Sequence, residues 1–170
     1  MIVMTPRISR SATARSWPSR SRPLSAAEAG MGNMLQGIGV VAGIAEGPAL
    51  VTRDGVAFNL GVDMTSGRVV ERGHELEGAC LKGAVLVCRG GKGSGGLSYG
   101  LLQVVANGCG PVAIVAEQAD ALIAAGAVLA NIPLVHRISG HDRLRPGMRL
   151  RIDGGQGTVT VLNGQGTPCG

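Results

Sequence analysis

"GAVLVCRGGKGSGGLSYGLLQVVANG", residues 83–108, is the stretch on which the reading of this chain turns. GAVLVC is a continuous apolar run, the pattern of a strand buried on both faces in a parallel sheet. SYGLLQVVANG (98–108) has helical spacing and ends on Asn107-Gly108, a helix C-terminal signal. Between them lies a loop dense in glycine, with Ser94 and Ser98 inside or beside it. Glycine in bulk costs folding entropy, so such a cluster marks a tight turn, a ligand, or both.

Working outward, the order of elements is mixed. IGVVAGIAEGPALVTRD (38–54) reads as strand, glycine turn and strand, and GVAFNLGVDMTSGRVV (55–70) as short strands around a Thr-Ser-Gly turn. PVAIVAE (111–117) and IPLVH (132–136) are further buried strands. DALIAAGAVLAN (120–131) is a small-residue helix with Asp120 placed as its N-cap. MRLRIDGGQGTVTVL (148–162) alternates on both sides of a Gly-rich turn and predicts a β-hairpin. The expected fold class is α/β, β-rich at both ends, with β-α-β-α-β between.

The 170 residues suffice for one domain. Trp17, Phe58 and Tyr99 are the only aromatic residues, so the core must be built from Val, Ile, Leu and Ala. No apolar run approaches the roughly 18 residues of a membrane span. The net charge of +5 is confined to the start of the chain. Residues 1–27 hold Arg7, Arg10, Arg15, Arg20 and Arg22 and no acid, whereas the remainder carries 11 acids and as many bases. A neutral folded part argues against a nucleic-acid surface, which needs a concentrated basic face. Residues 1–33 are read as a disordered basic tail or an over-long start, with a transit peptide as the other reading. The domain is expected over 34–165, with 166–170 a tail. Cys80, Cys88, Cys109 and Cys169 form no metal-binding spacing, and reduced thiols in a cytoplasmic protein are the expectation.

Two chemistries compete for the loop on residues alone. Gly91, Gly93 and Gly96 match G-x-G-x-x-G, with Glu117 about 20 residues further on, as in a dinucleotide fold. Against this, Arg89 and Gly90 intervene after the strand, and too little chain follows for a doubly wound sheet. The second reading places Ser94 at a helix start, where free backbone N–H groups hold an anion or stabilise an alkoxide. The plain alternative makes Ser94 and Ser98 helix caps.

GPALVT (47–52), GVDMTSGRVVERGHELEG (61–78), the loop itself and NGCGPVAIVAEQADALIAAGAVLANIPLV (107–135) together resemble the small subunit, or swivelling domain, of the aconitase X family. The likeness runs from Gly37 to Val135. It implies a swivelling β/β/α domain with a barrel-like core and a hydro-lyase activity completed by a large subunit. The family's loop is G-[RK]-G-S-S-S-G-S; Lys92, Gly93, Ser94 and Ser98 agree with it, while Gly95, Gly96 and Leu97 depart. The resemblance thereby implies Ser94 as the base, with Ser98 the substitute if a later serine of the run does the work. Lys92, Gly93, Gly95, Ser98 and Asp63 are expected to bind substrate, and this chain to hold no metal. An iron or iron–sulfur centre is expected in the large subunit. The implied substrate is a small hydroxy acid, cis-3-hydroxy-L-proline ahead of mevalonate 5-phosphate. His74 and Arg68 fall in the matched region and read as structural. A catalytically silent swivelling partner is the rival function. The closing strands are also similar to phosphohistidine swivelling domains, but no histidine occurs between His74 and His136 to carry a phosphate.

Overall fold

The computed structural model describes residues 33–167. The expected tail and over-long start therefore fall outside the described residues, apart from Asn33. Ten strands and two α-helices follow in order: β1 (Met34–Gln36), β2 (Ile38–Val41), β3 (Ile44–Val51), β4 (Gly55–Val56), β5 (Val85–Cys88), β6 (Gly90–Gly91), α1 (Gly96–Ala106), β7 (Ala113–Ala116), α2 (Ala121–Ala130), β8 (Leu134–His136), β9 (Met148–Asp153) and β10 (Thr158–Gln165).

Eight strands form one sheet in the order β1-β10-β9-β3-β5-β7-β8-β2. β3, β5, β7 and β8 run parallel, and the flanking pairs are antiparallel. β1 and β2 stand at opposite ends of that order, yet only Gly37 separates them in the chain. One bent stretch thus links the two ends of the sheet, pairing with β10 before Gly37 and with β8 after it. This is the barrel-like α/β architecture expected above.

The apolar runs are buried on two sides because the barrel has two cores. Val85 and Val87 of β5 join Val115, Val135, Leu150, Ile152 and Val159 inside the barrel. Leu86 of β5, Ile114 and Leu134 face outward against Leu97, Leu101 and Ile123 of the helices. Full burial of each such side chain contributes about 1.5–3 kcal/mol. A continuous apolar strand is what a sheet covered on both faces requires.

Asp120 caps α2 as expected, accepting from the N–H groups of Leu122 and Ile123 at 2.8 and 3.0 Å. α1 begins at Gly96, two residues before the expected start, and has no side-chain cap. The hairpin β9–β10 forms where the alternation predicted it. Residues 57–82 depart from expectation: they are mostly turns, with isolated bridges Val62–Val69 and Arg68–Cys80 replacing strands. Gly61, Gly67, Gly73 and Gly78 interrupt the ladder too often for strands to extend. Phe58 and Leu81, fully buried, pin this segment to the outer core. Cys88 and Cys109 are free, but Cys80 is disulfide-bonded, which corrects the expectation of reduced thiols at that position. Among the described residues no helix is long and apolar enough to cross a membrane.

Candidate active site

The glycine loop is fixed at its root. β6 pairs in parallel with β4, and the Lys92 N–H donates to the Val56 carbonyl at 3.1 Å. The chain then turns through Gly93, whose φ of 120° is a backbone state that side chains rarely adopt. It enters α1 at once, the Leu97 N–H donating to the Ser94 carbonyl at 2.9 Å. Ser94 is exposed at the mouth of a cleft of about 440 Å³, which it lines with Gly93, Lys92, Asn59, Leu60 and Glu71. The first amides of α1 lack intrahelical partners, and no acidic residue sits in that turn to occupy them.

Asn59 and Glu71 were invisible to sequence reasoning. They lie in the turn-rich segment 57–82 and reach the loop only through tertiary folding. Asn59 Oδ1 and Glu71 Oε2 are buried and have no hydrogen-bond partner among the described residues. A buried polar atom left unpaired costs about 1–3 kcal/mol, so each of these two calls for a partner, a water or a ligand group. Lys92 pairs with the other oxygen of Glu71, and that hydrogen bond raises the lysine pKa above its ordinary value. Lys92 is therefore a cation already partly neutralised, positioned beside the cleft.

The remaining expected site residues lie elsewhere. Ser98 is buried, and its hydroxyl donates to the Leu122 carbonyl at 2.6 Å, fastening α1 to α2. Asp63 closes a turn in which the backbone and hydroxyls of Thr65 and Ser66 all donate to one carboxylate oxygen. Those bonds, the Ser66 hydroxyl first, lower its pKa from 3.8 to about 2. The same turn is held against the C-terminal end of α1, since Asn107 Nδ2 donates to the Met64 carbonyl at 2.8 Å. Ser94 lies at the other end of α1, whose 11 residues span about 16 Å. The structure thus brings Lys92, Gly93 and Ser94 together in one cleft and leaves Asp63 remote.

His74 is buried, its Nδ1 accepting from the Leu76 N–H at 3.0 Å, as the structural reading expected. Burial pushes the Cys88 thiol up to about 12, which removes it as a nucleophile. Among the described residues no group of three or more His, Cys, Asp or Glu side chains is placed to hold a metal ion. The cleft can accordingly offer an exposed hydroxyl beside a helix start, a carboxylate–ammonium pair and a buried amide oxygen.

Residues 34–161 match the family described as the aconitase X swivel domain. The phosphomevalonate dehydratase small subunit of Methanocella arvoryzae is 38% identical over 129 residues, covering 75% of this chain and 98% of that protein. The protein of the same name from Pyrococcus furiosus is 38% identical over 128 residues, covering 75% and 95%. The crystal structure of aconitase X from Thermococcus kodakaraensis in its holo-form superposes with a TM-score of 0.74 at 34% identity, covering 76% of this chain and 98% of that one.

Proposed function

This chain belongs to the aconitase X swivel-domain family and is the small subunit of an aconitase X-type dehydratase; within that activity we propose that Ser94 is the base. The observation that carries the proposal is the exposed Ser94 hydroxyl at the amide-rich start of α1, in the cleft shared with Asn59 and Glu71. A serine hydroxyl is a weak base until its oxygen carries negative charge. Backbone N–H groups and the positive end of a helix dipole stabilise that charge without reorganisation. Exposed Ser94 first gives its own proton to solvent water; the alkoxide then takes the proton from the carbon next to the substrate carboxylate and returns to the hydroxyl. The electron pair left on that carbon becomes the new carbon–carbon double bond, and hydroxide departs from the neighbouring carbon. An iron or iron–sulfur centre held by the large subunit would supply the Lewis acid for that hydroxide.

Dehydration requires one catalytic group on each side of the substrate, so the small subunit works as a heterodimer with the large one. Gly93 and Gly95 leave room for substrate to approach the backbone, and Lys92 with Glu71 frames it. Ser98 supports the loop by anchoring α1. For the substrate, the relatives' names favour a phosphorylated hydroxy acid of the mevalonate 5-phosphate type over cis-3-hydroxy-L-proline.

Ser94→Ala, assembled with the large subunit, is expected to keep the complex intact and lower turnover by about 10²–10⁴-fold, the usual contribution of a positioned base. Wild-type turnover in that variant would overturn the assignment. Steady-state rates with mevalonate 5-phosphate and with cis-3-hydroxy-L-proline decide the substrate.

A further inference from the structure

A second cavity, of about 690 Å³, opens at the C-terminal ends of the four parallel strands. Arg53 follows β3, Arg89 follows β5, Glu117 follows β7 and Arg137 follows β8, so each strand delivers one charged residue to it. In parallel α/β sheets, whether open or rolled into a barrel, this is the end at which ligands bind. His141 and Asp142, from the short 3-10 turn before β9, also line it. Three guanidinium groups face two carboxylates, leaving the cavity net positive.

Two features show that this end is built to hold a group. Arg137 has a φ of 51°, in the left-handed region, held there by its N–H shared between the Ala116 and Glu117 carbonyls at 3.3 Å each. A side-chain-bearing residue in that state costs about 1–3 kcal/mol and persists where the surroundings enforce it, often at ligand sites. His141 is hydrogen-bonded to the Cys88 backbone, while its Nε2 is buried without a partner among the described residues. With the other ring nitrogen donating to the Cys88 carbonyl and burial favouring the neutral ring, Nε2 is an acceptor suited to a water or a hydroxyl.

The cavity and the Ser94 cleft share a neighbour. Arg89 and Lys92 line one shallow furrow over Gly90 and Gly91, and Arg89 continues into the arginine cavity while Lys92 continues into the cleft. We propose that the Arg53–Arg89–Arg137 cavity is a phosphate-monoester subsite, holding the end of the substrate remote from the carbon that loses its proton at Ser94. Planar guanidinium forks fit the oxygens of a phosphate two at a time, which a lone ammonium cannot do. This inference rests on the reading of the substrate as a phosphorylated hydroxy acid. Hydroxyproline has no second anionic end to reach the cavity.

The test uses the complex of the full chain with its large subunit. Arg137→Gln and, separately, Arg89→Gln are expected to raise KM for mevalonate 5-phosphate by roughly tenfold each, as expected for losing one charge-assisted pair, with kcat changing less than about threefold. Inorganic phosphate is expected to inhibit competitively, and both variants should weaken that inhibition in step with KM. Thermal unfolding of each variant confirms that the fold persists. Wild-type KM and wild-type phosphate inhibition in both variants would overturn the subsite. If the complex dehydrates hydroxyproline but not mevalonate 5-phosphate, the substrate reading fails by itself. Phosphorus NMR titration of inorganic phosphate with the full chain then decides the cavity. Binding by the wild type that Arg137→Gln removes upholds an anion site for free phosphate, and equal binding or none in both rejects it.

Discussion

Ser94 and Ser98 stand one helical turn apart, and their surroundings are opposite. Ser94 lies in a glycine loop, exposed, over a cleft that holds two unpaired polar atoms. Ser98 lies in the seam between α1 and α2, buried, its hydroxyl donating at 2.6 Å to a main-chain carbonyl. The same side chain is thus available for chemistry in one place and committed to packing in the other. Position in sequence relative to the glycines does not reveal which, because both follow the loop motif closely. What separates them is whether a second element covers the helix face on which each serine falls.

The comparison breaks most visibly where the seam meets the cleft. A Cβ placed at Gly100 would lie 2.7 Å from the Asn59 nitrogen and 2.8 Å from the Phe58 carbonyl carbon, so main chain would have to move. Gly100→Val is expected to lower stability by about 3 kcal/mol, the upper part of the overpacking range, read from the denaturation midpoint. It should also reduce turnover of whatever folds, because Asn59 moves with that backbone. A variant of wild-type stability would show that α1 does not pack on residues 58–59 as described.

Ser98→Ala sharpens the comparison with a smaller effect. One buried hydrogen bond contributes about 0.5–1.5 kcal/mol net, so the unfolding midpoint should fall modestly. Turnover per folded complex should stay near wild type, in contrast with Ser94→Ala. Should Ser98→Ala abolish turnover while stability holds, the two serines exchange roles.

Much of the fold was legible because it is written in patterns with a physical period. The runs 85–88, 113–116 and 132–135 are apolar at every position, and the barrel has a core on each side of them to explain why. Asp120 and the hairpin after Met148 are local signals, decided by a few adjacent residues. The closure of the barrel was less legible: β1 and β2 have only 3 and 4 residues, too short for alternation to declare their partners. The cleft was half legible. Lys92, Gly93 and Ser94 belong to one motif, but Asn59 and Glu71 arrive from a segment whose path is set by the burial of Phe58 and Leu81. The pairing of β4 with β6 that aligns the loop involves only two residues from each strand, three of the four being glycine, and carries no hydrophobic period at all.

Asp63 gives the smallest effect and the cleanest separation of structure from chemistry. Its carboxylate is lowered from 3.8 to about 2 by hydrogen bonds from Ser66 and Thr65. A carboxyl group with a depressed folded-state pKa contributes stability that is present above its unfolded value and is lost as pH falls through the folded one. The contribution of Asp63 should therefore be complete above about pH 4 and gone near pH 2. Asp63→Asn keeps the shape of the turn while removing the charge. The Tm of the wild type is expected to exceed that of the variant by a small margin at neutral pH, and the two curves should converge on acidification between those limits. Turnover at neutral pH should be unaffected, because the turn sits at the far end of α1 from Ser94. A large loss of turnover without loss of Tm would return Asp63 to the substrate's surroundings, where the sequence first placed it, and would mean that the large subunit reaches around α1 to meet it.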